Sequence, residues 1–325
     1  IEVITKKDEA DIAWGVKNRV DYFAISFVQN AKDMRRAREL LGDYKGKLIA
    51  KIEKFDAVSN IDEIIETSDG IMVARGDLGI EVPYYDVPTI QKMLIKKSNA
   101  KGIPVITATQ MLLSMTQNER ATRAEISDVA NAVLDGTDIV MLSEESAVGE
   151  NPVNVVETMH NIIKQTEKIF DHEKRYKFTY LDEFDVIQAT VTKLADDLSA
   201  DGILSLTSSG NSARKMSRYR PITPLYTFAH DKETLTGLTA LWGVQPITTV
   251  KEAQASKMIQ RMLRSLEKRE ILNKKGLYIC TVGYPVGIPG STNTIKILTP
   301  SEIEFYLNFK ENREKIKTEK KVNLA

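Results

Sequence analysis

Lys47-Leu48-Ile49-Ala50-Lys51-Ile52-Glu53-Lys54 decides how the first half of the chain is read. Side chains alternate faces along a strand, so Ile49, Lys51 and Glu53 share one face while Leu48, Ala50 and Ile52 share the other. The apolar face can pack under helices. The other face carries a cation and a carboxylate at the C-terminal end of the strand, where parallel-barrel enzymes keep their chemistry. Taken alone, this strand fits a structural ion pair as well as a functional one.

Working outward, similar apolar or β-branched runs occupy 22–28, 70–75, 105–110 and 139–143, the composition of strands covered on both faces. Segments 31–41, 56–66, 89–100 and 121–134 between them read as helices, and another lies near 153–166. Thr122 followed by Glu125 predicts a capping box, with Gly136 just past that helix's end. Strand and helix in repeated alternation mean parallel βα units. A doubly wound sheet would show a Gly-rich turn after its first strand, and none is present. Polar residues at strand ends stand instead: Lys51 and Glu53, Arg75 and Asp77, Thr107 and Thr109, Ser143 and Glu145. The expected fold class is therefore α/β, a partial TIM (β/α)8 barrel with five of its eight βα units.

Beyond a charged, aromatic connector at 171–184, the pattern continues as a smaller α/β domain. Helices are expected at 185–198, 212–219, 232–242 and 253–270, and strands at 202–206, 224–228, up to 250, 276–282 and 294–298. The predicted division is 1–170 for the barrel portion, 171–300 for the second domain, and 301–325 for a charged tail, solvated or disordered.

Composition narrows the function. The 325 residues suggest two domains at about 150 each. Lys plus Arg number 45, as do Asp plus Glu, and zero net charge argues against nucleic acid or an anionic membrane as partner. The lone cysteine, Cys280, excludes a disulfide framework and suits a reducing compartment. No apolar run approaches the roughly 20 residues that span a bilayer, so a cytoplasmic location is expected. His160, His172 and His230 show no ligand spacing and read as surface or packing residues. Cys280 reads as buried and inert, and Trp14, Trp242, Met111 and Met115 as packing residues.

Ile71-Met72-Val73-Ala74-Arg75-Gly76-Asp77-Leu78-Gly79 shifts the balance toward chemistry. Gly76 and Gly79 let backbone approach a ligand closely. Glu53 and Asp77, from neighbouring strand ends, form a hard oxygen site suited to Mg²⁺ or Mn²⁺. The Gly76 and Asp77 N–H groups with the Thr109 hydroxyl could hold a small carboxylate beside it.

Residues 72–79, Ile106-Thr107-Ala108-Thr109-Gln110-Met111-Leu112, Thr122-Arg123-Ala124-Glu125 and Asp128-Val129-Ala130-Asn131-Ala132 resemble pyruvate kinase, and the similarity extends from residue 1 to about 300. The resemblance implies phosphoryl transfer from phosphoenolpyruvate to ADP, giving pyruvate and ATP. It implies that Lys51 stabilises the phosphoryl group in flight and the enolate, and that Glu53 and Asp77 ligate Mg²⁺. It further implies that Gly76, Asp77 and Thr109 hold the substrate carboxylate and that Arg75 supports their turn. Ser143 and Glu145 match further active-site positions. The five strands match the family's fourth to eighth, so the chain alone is expected to lack part of the active site, including the K⁺ ligands. A homotetramer is implied for the full-length protein.

The sequence also departs from the family. Leu142-Ser143-Glu144-Glu145-Ser146-Ala147 has Glu144 where the family has glycine. Asn118-Glu119-Arg120-Ala121 lacks two usual prolines, and Phe27-Val28-Gln29-Asn30 lacks a frequent Arg-Lys pair.

In the second domain, Thr207, Ser208, Ser209, Gly210, Asn211 and Ser212 join a strand end to a helix N-terminus, a ready phosphate nest that an ordinary helix cap would also explain. The resemblance makes this loop the phosphate part of a site for a phosphorylated metabolite effector, with the Gly- and Pro-rich 283–293 as its second loop. Two other readings stand beside this one: a metal-enolate lyase or aldolase of the barrel group, and an effector-binding or assembly fragment without turnover.

Overall fold

The computed structural model describes residues 3–172, 177–252, 254–283 and 292–309. It divides into two compact units, Ile1–Lys174 with Ala240–Trp242, and Arg175–Thr239 with Gly243–Ala325.

The first unit holds one parallel sheet in the order β1 (Tyr22–Ile25), β2 (Lys47–Ile52), β3 (Gly70–Ala74), β4 (Val105–Ala108) and β5 (Ile139–Met141). Each strand pairs with the next in sequence, as single right-handed crossovers give. Between and around them run α1 (Lys6–Lys17), α2 (Ala31–Leu41), α3 (Phe55–Ser59), α4 (Ile61–Thr67), α5 (Arg75–Glu81), α6 (Val87–Lys101), α7 (Arg123–Asp135), α8 (Glu144–Ala147) and α9 (Pro152–Thr166).

The two faces of the sheet separate as alternation requires. Leu48, Ala50, Ile52, Ile71, Val73 and Val105 pack with Met34, Ile64, Leu94 and Ile95 from the helices. On the opposite face Ile49, Met72 and Ala108 form their own small cluster with Tyr22, Ile106 and Met141. Thr107 falls on the helix side with Val105. It is buried and hydrogen-bonded to the Thr137 hydroxyl at 3.0 Å, so it is a packing residue and not a companion of Thr109.

Thr122 and Glu125 form the expected reciprocal cap, and Gly136 ends α7 in the left-handed region at φ 96°. At the opposite end of the strands Asp69 is ion-paired to Arg38 and accepts the Leu48 N–H at 2.9 Å, an anchor of the kind that serves stability.

Several expectations change. The 56–66 helix is two, broken at Asn60, which ends α3 and starts α4 while its amide donates to the Gln29 carbonyl at 3.0 Å. The Gly-flanked turn after β3 is helical from Arg75 onward, and the 232–242 helix stops at Thr236. Trp14 is 64% exposed on α1 and packs little. Met111 and Met115 are core residues, as expected.

The second unit carries a mixed sheet in the order β10 (Thr292–Leu298), β9 (Tyr278–Gly283), β6 (Gly202–Thr207), β7 (Leu225–Ala229) and β8 (Val244–Thr249), parallel except for β10. Its helices are α10 (Glu183–Asp197), α11 (Asn211–Arg218), α12 (Lys232–Thr236), α13 (Ala255–Lys268) and α14 (Pro300–Leu307). Leu204, Tyr226, Phe228, Tyr278 and Cys280 bury one face of the sheet against Met258, Met262, Leu263 and Leu266 of α13.

Helix α14 opens with a Thr299–Glu302 capping box and buries Ile303 in the same core, so the start of the charged tail is a packed helix and not a solvated one. The Cys280 thiol is fully buried, and that burial pushes its pKa up to about 12, which leaves it inert as a nucleophile. His160 is exposed, His172 stacks edge-on to Phe170, and His230 Nδ1 lies 3.0 Å from the Val250 carbonyl oxygen. Among the described residues no helix is long and apolar enough to cross a membrane.

Candidate active site

At the C-terminal ends of neighbouring strands the residues singled out by sequence form two groups, Lys51 with Glu53 after β2, and Arg75, Gly76 and Thr109 after β3 and β4. Lys51 Nζ lies 2.6 Å from Glu53 Oε1, the two side chains being 24% and 1% exposed. Burying a carboxylate this deeply requires compensation, and Glu53 has two partners: the ammonium on one oxygen and the Phe27 N–H on the other at 2.6 Å. Lys51 also donates to the Ser26 hydroxyl at 2.9 Å.

Beyond β3, Arg75 opens α5 and its guanidinium spreads over the turn after β4. It donates to the Thr109 carbonyl at 2.7 Å, to Gln110 O at 3.2 Å and to Ala108 O at 3.3 Å, and pairs with Asp128 of α7 at 2.6 Å. Thr109 and Gln110 sit at φ 66° and 53°, a conformation that costs a non-glycine residue energy and persists where its surroundings over-determine it. Arg75 supplies that determination. The Gly76 N–H donates to Thr109 Oγ1 at 2.9 Å, and that hydroxyl donates in turn to the Ala108 carbonyl at 2.6 Å. Arg75, Gly76 and Thr109 therefore form one hydrogen-bonded unit, with Asp77 exposed in the first turn of α5.

Glu145 is 1% exposed and takes the Leu112 N–H at 3.1 Å and the Ser143 N–H at 2.7 Å. In this structure it ties two loops together. Glu144 beside it is exposed.

Glu125 takes the Ser114 N–H at 2.7 Å and hydroxyl at 2.5 Å, together with the Thr122 N–H at 2.8 Å. Burial pushes its carboxyl up, but these donors outweigh it and leave it below the usual carboxylate range.

A divalent cation fits this donor set in kind. Glu53 and Asp77 offer hard carboxylate oxygens, and each Glu53 oxygen keeps a lone pair beyond its present partner. Among the described residues no group of three or more His, Cys, Asp or Glu could hold an ion without other ligands. An ion here would take the rest of its shell from water or substrate, as Mg²⁺ commonly does.

In the second unit Thr207 is buried, and its hydroxyl accepts the Gly210 N–H at 2.9 Å, which shapes the turn into α11. Gly210 is at φ 85°, and an added Cβ would meet Leu238 at 3.0 Å. Ser209 and Asn211 are exposed, while the Ser208 carbonyl accepts from Thr234 at 3.4 Å. Of the second expected effector loop, residues 284–291 lie outside the described residues.

Sequence reasoning missed Ser26, and it quoted Phe27 and Asp128 without these roles. Ser26 and Phe27 act through a hydroxyl and a backbone N–H from the turn after β1, for which no spacing rule exists.

Two family models match the chain: the pyruvate kinase barrel domain over residues 1–156 and the pyruvate kinase alpha/beta domain over residues 185–298. A pyruvate kinase of Geobacillus stearothermophilus is 42% identical over 307 residues, 92% of this chain and 52% of that protein. Those of Lactobacillus delbrueckii subsp. bulgaricus and Clostridium acetobutylicum are 42% and 40% identical, over 90% and 91% of this chain and 51% and 64% of their own lengths. The chain thus spans about half the length of the first of these relatives.

Proposed function

The chain belongs to the pyruvate kinase family, and from that premise we propose that it carries the phosphoryl-transfer centre of a glycolytic, cytoplasmic pyruvate kinase. The reaction is transfer from phosphoenolpyruvate to ADP, giving pyruvate and ATP. The supporting observation is the Lys51 ammonium held 2.6 Å from an almost fully buried Glu53 at the strand ends. Phosphoryl transfer is catalysed chiefly by positioning and by cations set against developing charge, and Lys51 is such a cation.

In this reading the five strands are the fourth to eighth of a (β/α)8 barrel. Residues 1–170 form its C-terminal portion, 171–300 an effector domain and 301–325 a charged extension whose first residues, in α14, pack into that domain's core. Glu53 and Asp77 would hold Mg²⁺ or Mn²⁺, which when bound supplies a Lewis-acid counter-charge to the phosphoryl and enolate oxygens.

The chain's own residues do the rest. Lys51 meets the phosphoryl group and then the enolate oxygen. Gly76 and Asp77 direct N–H groups at the substrate carboxylate, and the Thr109 hydroxyl, now bridging Gly76 and Ala108, turns to it. Arg75 keeps the Thr109 turn in its left-handed form, and Glu145 fixes Ser143 at the rim. The test is pyruvate formation from phosphoenolpyruvate by the full-length protein containing this chain, with Mg²⁺ present. Strict dependence on ADP is expected, and ADP-independent release of pyruvate would overturn the assignment.

We also propose that the exposed side of the 207–212 loop binds the phosphate of a metabolite effector. The full-length protein would be a homotetramer in which effector binding lowers the apparent KM for phosphoenolpyruvate by the several-fold typical of a ~1–3 kcal/mol coupling. Ser209→Glu places a fixed negative charge at that position. It should abolish activation in a titration of sugar phosphates and AMP while leaving unactivated turnover in place. Equal activation of mutant and wild type would reduce the loop to a helix cap.

A further inference from the structure

The turn after β1 supplies both contacts that hold the Lys51–Glu53 pair from outside its own strand. The Ser26 hydroxyl accepts from Lys51 Nζ at 2.9 Å, and the next residue's N–H donates to Glu53 Oε2 at 2.6 Å. With the 2.6 Å ion pair these groups close a ring of hydroxyl, ammonium, carboxylate and amide.

Phe27 makes its contact at φ 55°. An aromatic residue in the left-handed region is uncommon and has to be stabilised by what surrounds it. The gain does not come from burying the ring, which is 49% exposed with the Lys54 ammonium 5.8 Å from its centroid. What the conformation achieves is a donor aimed at an almost fully buried carboxylate. Val28, fully buried, locks the chain immediately after the turn.

We propose that Ser26 and Phe27 are positioning residues. The hydroxyl sets where the Lys51 ammonium stands, and the strained amide fixes Glu53. Together they hold the cation and the metal-binding carboxylate at one separation before any ligand arrives. The catalytic meaning of this rests on the reading given under Proposed function; the contacts themselves do not.

Without the hydroxyl, Lys51 leans on Glu53 alone, and a divalent ion must compete harder for that carboxylate. Without the left-handed turn, Glu53 Oε2 loses its buried donor. A β-branched residue is all but excluded from that conformation, so Phe27→Val removes the contact without touching Glu53 or Lys51.

The experiment titrates the full-length protein containing this chain with Mn²⁺ alone, following free Mn²⁺ by electron paramagnetic resonance. Ser26→Ala and Phe27→Val should each weaken Mn²⁺ binding by roughly tenfold, the worth of one hydrogen bond to a charged group. Ser26→Thr, which restores the hydroxyl, should bind within about twofold of wild type by the same reasoning. Thermal unfolding confirms that each variant is folded; if Phe27→Val is not, the two Ser26 variants decide. Wild-type affinity in Ser26→Ala, or no rescue by Ser26→Thr, overturns the proposal.

A second measurement keeps it separate from the metal assignment. Exchange of the Phe27 amide hydrogen should speed up by on the order of tenfold or more in Glu53→Ala, and an unchanged rate overturns the positioning role. If wild type takes up no Mn²⁺, the metal reading falls and the exchange rate alone decides the role of Phe27.

Discussion

Lys51→Met in the full-length enzyme is expected to lower kcat by roughly 10²–10³-fold or more, the cost of removing one preorganised charge from a phosphoryl-transfer site. Methionine keeps an unbranched stem of similar length, so the loss is of charge more than of packing. The ammonium lies 2.6 Å from Glu53 and 2.9 Å from the Ser26 hydroxyl at the C-terminal end of β2. Its removal frees Glu53 Oε1 from its present partner, so Mg²⁺ binding through Glu53 and Asp77 should survive while turnover collapses. Steady-state kinetics beside a metal titration separates the two effects. Retention of more than about a tenth of kcat, a change of ~1.4 kcal/mol or less, would show that Lys51 is a structural cation.

The second large effect is expected in the other unit, in stability. Arg218 and Asp185 pair at 2.5 Å with side chains 1% and 0% exposed. Asp185 also takes the Tyr219 hydroxyl and the Leu181 N–H, each at 2.9 Å. Asp185→Ala strands a guanidinium in the interior and removes the acceptor of two further donors, which should cost about 3–5 kcal/mol. At that size the melting temperature should fall by roughly 10 °C for a unit of this length. The double change Asp185→Leu with Arg218→Met should be milder than either single change, because it leaves no uncompensated charge. Calorimetry of Asp185→Ala, of Asp185→Leu and Arg218→Met singly, and of the double variant tests this. A single mutant that melts with wild type would mean that water reaches the pair.

The physical signals that were legible in the sequence are local ones. Alternation along 47–54 put Ile49 on one face and Leu48 and Ile52 on the other, as found. The Thr122–Glu125 cap and Gly136 stop are written in residue type and spacing alone. The same parity rule, applied to 105–108, would have moved Thr107 to Val105's side and away from the site.

Left-handed residues were not legible. Phe27, Thr109 and Gln110 have positive φ without being glycine, and residue type gives no warning when tertiary contacts impose the conformation. Gly76 and Gly79 read as points of close backbone approach, and that reading gave no sign that the chain there coils into α5. The candidate chemistry of Lys51 and Glu53 was visible because it lies on one strand. The partners that hold it, Ser26 and Phe27, are supplied from 25 and 26 residues away along the chain, and Asp128, which pairs with Arg75, stands 53 residues from it.

The reach of the Arg75 guanidinium, described above as a support for one turn, also bears on folding order. Its acceptors at Ala108, Thr109 and Gln110 are 33 to 35 residues away, and Asp128 is 53 away. Loops of that length must close before any of these bonds can form, and non-local contacts of this kind form slowly. The Thr109 turn therefore cannot be pre-assembled from its own sequence. It takes shape only once β3, β4 and α7 have docked, so this turn is completed late in folding and loosens when that docking fails.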